Sequence, residues 1–553
     1  MADWLSALFM QFWFSDLLSS LFIILCFWMV AFLTRKWIET LTEIRPIRTF
    51  HLIPVGLLLV LHNQYDYHFS ITVALIINLT FLVLFIHWAP KQQGICSALG
   101  LTVSIFLYWI TGGAFLMFTV LCGLDDLFFR KRFASGFLFL LISAVLPLAA
   151  SEYVFLITLT HSYLHNLSFE NPLELSITGY ALPAFFLLVI LITLLVKSDR
   201  IRKSIQKFTT FAYLWKWVAG TILLLFGTIL LAEESSNEIK RLVFQNVRAV
   251  SENRWTDVLE SVRHCSNITP VVSYQTNLAF FETGKLLDSM FTHPQTNGSI
   301  ELFMNETWCY VLPEETSNMY WKLGLVNGSL HWAHEALESK GPTPDILKRL
   351  GMAYMVKGEN EATKPFFLKL KYVPFRGKTA DELIRLNENP TELAQDSICK
   401  YIRSCMLDED IISLEKPSIL ELELLLKRNP KNKMAFEYLI ASFLLNGNSN
   451  EIWKRYSDLD TITSFKIPRH VQEALMMNAV MTPNFDLSRL RKMVDPLIYN
   501  RFVDYQQILY KYKDGKYDGA KQELKIRFGD TYWYYLMFTR PYPKQSDRYN
   551  EYQ

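Results

Sequence analysis

The sequence predicts an all-α chain: a polytopic transmembrane helix bundle of about eight spans over 1–232, then a soluble array of helical hairpins over 233–540 and a polar tail at 541–553. Three observations predict it. The N-terminal region is a ladder of apolar runs close to membrane-span length. Its positive charges fall in every second gap between those runs. After residue 232 the pattern becomes helical periodicity cut by short Gly- and Pro-marked turns, with little strand signal.

A bilayer core takes about 20 apolar helical residues. Span 1 covers 14–34, and the stretch from Trp4 to Phe14 is apolar as well. Its basic residues follow it rather than precede it, so it reads as a retained span and not a cleaved signal peptide. Span 2, 49–62, is short and carries His51 and Pro54; span 3 is 68–88. The run 95–129 is too long for one helix and has Gly112-Gly113 in its middle, so it divides into span 4 (95–110) and span 5 (113–129). Spans 6, 7 and 8 are 133–150, 180–196 and 211–231.

Arg35, Lys36, Arg45 and Arg48 fill the first gap, Lys91 the third, Arg130, Lys131 and Arg132 the fifth, and Lys197, Arg200, Arg202, Lys203 and Lys207 the seventh. Lys and Arg stay on the cytoplasmic side of a membrane. The pattern therefore predicts a multi-pass membrane topology, with the N-terminus and the C-terminal region on the side away from the cytoplasm. A net charge of +2 with no basic face on the soluble region excludes a nucleic-acid footprint.

The outer loops are polar. Loop 62–68 reads His62-Asn63-Gln64-Tyr65-Asp66-Tyr67-His68, and loop 151–179 carries Glu152, His161, His165, Glu170 and Glu174. Asp66 beside two histidines has the makings of a general base, with His62, His68 and Glu152 as neighbours. Asn63, Tyr65, His161 and His165 are binding candidates for a cation, sugar or headgroup; ordinary solvated loops account for the same residues. Asp125 and Asp126, one turn before Arg130 and Lys131, read as an ion-pair cluster on the inner face. His51 is an ionisable group near the end of a span.

Within the soluble region the clearest hairpin is Leu350-Gly351, Tyr354, Gly358 and Phe367. Further units are Asn277 to Phe280 with Gly284, Leu426 to Leu439 with Gly447, and Tyr510 to Phe528 with Gly515; Trp332, Ala333 and Ala336 suit a second helix of another. Over roughly 240–540 these spacings resemble tetratricopeptide (TPR-like) α-solenoids, which implies stacked helix pairs with a face for a protein partner. Arg469, His470 and Glu473, after Pro468, share one helical face as a buried contact between repeats or a portion of a binding groove.

Two motifs, Asn63-Gln64-Tyr65-Asp66-Tyr67-His68 and Ile467-Pro468-Arg469-His470-Val471-Gln472-Glu473-Ala474, make the whole chain resemble an uncharacterised family of bacterial multi-pass inner-membrane proteins with a TPR-like C-terminal domain. That resemblance implies location and architecture, not an activity. It also sets aside the sequons at Asn166, Asn267, Asn297, Asn305 and Asn327.

Cys265, Cys309, Cys399 and Cys405 leave one disulfide or none open, and no Cys/His spacing suggests a metal. No nucleophile elbow, H-E-x-x-H, P-loop or dinucleotide fingerprint occurs in a usable context, so no cofactor is expected. Two function classes follow. One is a membrane-anchored scaffold that presents the helical array to envelope protein partners. The other is a membrane glycosyltransferase or ligase acting on a lipid-linked glycan with Asp66 as base, although its outer loops carry no Arg or Lys for a pyrophosphate.

Overall fold

The computed structural model describes residues 1–42, 49–88, 90, 92–169, 177–196, 213–263, 265, 268–304, 306–407, 417–457, 467–482, 487–512 and 517–541. Expectations that fall on Arg45, Arg48, Lys91, the cations of 197–207, Glu170, Glu174, Asn267, Asn305, Gly515 and the tail from 542 lie outside them. The chain divides into two compact units, Met1–Glu238 and Ile239–Gln553. No strand occurs among the described residues.

The first unit contains α1 (Ala2–Met10), α2 (Asp16–Thr42), α3 (Ile53–His62), α4 (Phe69–Trp88), α5 (Gln93–Thr111), α6 (Leu116–Phe128), α7 (Phe133–Tyr153), α8 (Leu159–Leu164), α9 (Ile177–Val196) and α10 (Tyr213–Ser235). Six stretches are long and apolar enough to cross a membrane: Asp16–Leu41, Phe69–Trp88, Gln93–Phe128, Phe133–Tyr153, Ile177–Leu195 and Val218–Ser235; Phe50–His62 is a shorter apolar helix. Many of their apolar side chains face outward, among them Leu21, Trp28, Phe137 and Leu223, as lipid-facing surfaces require.

The stretch Gln93–Phe128 reverses within its length. Gly112 has φ +62 and ψ −141, a conformation that only glycine adopts readily. Beyond the reversal the chain runs back until Arg132 Nη1 meets Cys96 Sγ at 3.3 Å, and Arg130 Nη2 donates to the Ile86 carbonyl at 2.9 Å. The end of α4, the start of α5, the end of α6 and the start of α7 thus meet at one end of the bundle. There Asp125 pairs with Arg130 at 2.7 Å, while buried Asp126 accepts from Ser135 Oγ at 2.6 Å. Gly123 and Gly136 let α6 and α7 approach closely at this end. Helices α3 and α10 run parallel, with Gly56 against Thr228, Gly220 against Thr49 and Asn63 Nδ2 donating to the Ala232 carbonyl at 2.9 Å.

The second unit begins with α11 (Glu238–Ser251), α12 (Trp255–Val262), α13 (Pro270–Glu282) and α14 (Leu286–Ser289). After a loop come α15 (Glu306–Val311), α16 (Pro313–Leu323), α17 (Val326–Lys340), α18 (Pro344–Lys357), α19 (Asn360–Lys371), α20 (Gly377–Glu388), α21 (Pro390–Gln395) and α22 (Ser397–Cys405). The remainder is α23 (Ile419–Arg428), α24 (Lys433–Asn446), α25 (Ser449–Ser457), α26 (Arg469–Met481), α27 (Leu487–Met493), α28 (Pro496–Lys511), α29 (Tyr517–Phe528) and α30 (Tyr532–Tyr534).

The pair α18–α19 has the anatomy its sequence suggests. Gly358 closes α18 in the left-handed region at φ +82, and a side chain at Gly351 would overlap the Phe367 ring. Helices α16 to α20 pack in chain order. The unit around Asn277 differs, because the helix after Gly284 is only the four residues of α14.

Elsewhere, helices distant in sequence meet. Asn432 Nδ2 donates to the Leu323 carbonyl at 2.8 Å, and Tyr535 Oη to that of Leu445 at 2.8 Å. Such contacts are foreign to a strictly nearest-neighbour array. Helices α13, α24 and α26 are buried along most of their length in one shared core that runs from Leu242 to Tyr535. None of the seven cysteines forms a disulfide, so the open choice resolves against one. Cys399 and Cys405 lie on the unbroken helix α22, six residues apart and more than one turn from each other.

Candidate functional site

At the bundle end opposite Asp125, loop 158–169 lies on the Gly112–Phe115 turn. The Ala114 N–H donates to the His165 carbonyl at 3.2 Å, and any side chain at Gly113 would overlap the Tyr163 carbonyl. Tyr163 Oη donates to the Ala144 carbonyl and Ser162 Oγ to that of Pro147 at 3.2 Å, in the turn of α7 that this proline disturbs. From this platform His165 Nε2 meets Asp3 Oδ2 at 3.2 Å, Asn166 Nδ2 reaches the same oxygen at 3.5 Å, and the rings of His161 and His165 lie 4.7 Å apart. The hydrogen bond from His165 is the main reason the Asp3 carboxyl is held down to about 2; Ser70 and Asn166 assist, against its partial burial.

The 62–68 loop separates into an inward and an outward set. The Leu58 carbonyl can only accept, so His62 Nδ1, at 2.9 Å, carries the proton. His62 Nε2 then accepts from Thr72 Oγ1 at 3.4 Å, which in turn accepts from Tyr67 Oη at 3.0 Å. Phe27 and Tyr67 pack around the imidazole. Asn63, Tyr65, Asp66 and His68 are exposed, as is Glu152 at the end of α7. The structure therefore gathers His161 and His165 with Asp3, but both ring nitrogens of His62 are engaged away from Asp66. His51 lies at the other end of α3, with Nδ1 buried and without a hydrogen bond.

In the second unit the motif around residue 470 is a dense polar node, in which His470 Nε2 is buried without a hydrogen bond. Glu473 accepts from Arg469 Nε at 2.8 Å, His470 Nδ1 at 2.8 Å and the Tyr532 N–H at 2.8 Å, and its carbonyl accepts from Trp533 Nε1 at 2.8 Å. Arg469 also reaches Asp530 Oδ2 at 2.9 Å, and its own N–H donates to Asp288 Oδ1 at 2.6 Å. Arg501 holds the other Asp530 oxygen at 2.5 Å. Partial burial opposes ionisation of Asp530, yet Arg501 and Arg469 hold its carboxyl below the usual range. His470 and Glu473 are buried, with the Phe291 ring 4.8 Å from the imidazole. One helix face thereby ties α14, α26, α28 and the segment before α30 together.

Sequence reasoning singled out Arg469, His470, Glu473, His161 and His165 but missed their partners Asp530, Arg501, Asp288 and Asp3. Asp3 carried the one available signal, an acid on an otherwise apolar helix. No group of three or more metal-ligating side chains occurs among the described residues.

No curated protein and no solved structure matches this chain. Over residues 1–539 it matches the model described as a family of unknown function, DUF6057, and the protein belongs to that family.

Proposed function

We propose that this protein is a scaffold of the bacterial inner membrane, crossing it eight times and presenting a TPR-like helical unit to envelope protein partners on the periplasmic side. The observation that carries this reading is the run of helices from Pro313 to Glu388, packed in chain order as in solenoids that bind partner proteins. The topology is supported by the cations. Arg130 and Arg132 cluster at the Asp125 end, whereas His161, His165 and Asp66 belong to segments without Lys or Arg. The motif residues Arg469, His470 and Glu473 serve cohesion in this reading, because Glu473 accepts from Arg469, His470 and the Tyr532 N–H while Arg469 also binds Asp530.

A glycosyl-transfer role would want a histidine beside Asp66, and His62 is committed to Leu58 and Thr72 instead. Photo-crosslinking residues placed at the exposed positions Glu338, Lys348 and Glu361 test the scaffold in cells. A discrete crosslinked envelope protein from at least one position is expected. Uncrosslinked protein at all three would reject the reading.

A further inference from the structure

The turn between α19 and α20 is built unlike the rest of the second unit. Residues 363–380 contain five cations, Lys364, Lys369, Lys371, Arg376 and Lys378, and no acid. Leu368 near the end of α19 and Tyr372 just after it stand one turn apart, 50% and 88% exposed, and Phe375 at the tip is 73% exposed. Phe375 also has φ +66, a conformation that bulky side chains rarely adopt. Pro374 precedes it and Gly377 opens α20, so the tip is short and stiff. Water gains nothing from an aromatic held outward in a strained conformation. Lys371 is paired with Asp381 at 2.7 Å and Lys364 with Glu361, while Lys369, Arg376 and Lys378 are exposed around the apolar tip.

From this arrangement we infer that the Leu368–Lys378 turn is an interfacial anchor for an anionic lipid surface. Leu368, Tyr372 and Phe375 enter the headgroup–acyl boundary, and Lys369, Arg376 and Lys378 meet lipid phosphates. Amphipathic aromatics favour that boundary, and basic residues near it add attraction to negatively charged lipid. A protein partner would be served by the apolar side chains alone; Lys369, Arg376 and Lys378 beside the tip are the complementary charge for a membrane. The inference is independent of the scaffold reading, since it needs only a bilayer, in which the apolar helices of the first unit lie.

The test uses the full chain in nanodiscs. An environment-sensitive dye is attached at Phe375→Cys in a Cys265→Ser background, the other six cysteines being buried. In phosphatidylglycerol discs the emission should shift to the blue and be quenched by lipid-borne nitroxides, while a dye at Glu338→Cys stays in water. In phosphatidylcholine discs the quenching should weaken. Each cation counts for about five-fold near an anionic surface, so Lys369→Gln, Arg376→Gln and Lys378→Gln together should reduce the contact by roughly a hundred-fold. An unchanged thermal melt of that triple variant establishes that it is folded. Aqueous emission at 375 in both lipids would overturn the proposal. So would burial of the dye without nitroxide quenching, which would mark contact with protein.

Discussion

Glu473 illustrates how much a single buried carboxylate can hold. It receives side chains from two neighbours on its own helix and a backbone N–H from 59 residues away. Deleting it leaves the buried His470 and the Tyr532 N–H without their acceptor, while Arg469 keeps Asp530. Breaking a buried pair in this way typically costs about 3–5 kcal/mol. Glu473→Ala should therefore lower the melting temperature of the purified chain sharply and Glu473→Gln by less; a loss below about 1 kcal/mol would show that the node is incidental. Two other carboxyls set a pH dependence. Burial pushes Glu301 up to about 7 and Glu315 up to about 8. Glu301 Oε1 accepts the N–H groups of Thr296 and Asn297, whereas Oε2 is buried without a partner. A raised folded-state value means that the native state holds the proton more tightly than the unfolded chain. Stability is then greatest below the unfolded value of about 4.5 and falls as pH rises through 7 and 8, by up to about 3 kcal/mol for Glu301 alone. Chemical denaturation of the full chain at pH 5 and pH 8 should show that decline. Glu301→Gln and Glu315→Gln should each flatten it, and parallel curves for wild type and variants would contradict the assignment.

Helices and turns were legible where one local rule decided them. The apolar runs marked the bundle helices, and Gly351 with Gly358 marked a hairpin, because close approach and a left-handed cap leave few residue choices. Gly112-Gly113 marked the reversal for the same reason. Partners set by the tertiary fold left no such trace. Asp3 meets His165 across 162 residues, and Arg469 meets Asp530 across 61. Nor could hydropathy tell that His62 turns inward while Asp66 turns out, since both belong to one polar run. The four-residue α14 was equally hidden, because the loop that replaces a longer helix is held by Asn277, Gln295 and Glu301 rather than by periodicity. Both glycine contacts give predictions. Gly351→Ala drives a methyl group into Phe367 and should destabilise the second unit by about 1–3 kcal/mol, although alanine is the better helix former. Gly113→Ala should lift loop 158–169 from its turn, read as faster labelling of a cysteine at buried Ser162; unchanged labelling would mean that the loop is held elsewhere.

For the whole molecule, the number of passes decides which chemistry each loop can meet. A straight helix over Gln93–Phe128 would put Cys96 and Asp126 about 45 Å apart, at 1.5 Å per residue, on opposite faces of a bilayer. In the structure Arg132, just beyond Asp126, donates to Cys96, so the chain must return to the face from which it entered. That return carries the arithmetic of the cations. It leaves Arg130, Lys131 and Arg132 on the side of Arg35 and Lys36, where the bias of positive charge toward the cytoplasm is satisfied; a single crossing would export the triplet against that bias. Cysteines introduced at the exposed positions Gln92 and Lys131 should consequently label from one side of intact membranes. Those at Asp66 and Glu152 should label from the other, together with a cysteine on the second unit at Glu338. Gln92 and Lys131 reporting opposite sides would undo the reversal. Glu338 reporting with Lys131 would keep the bundle but place the helical unit in the cytoplasm, where no envelope partner could reach it.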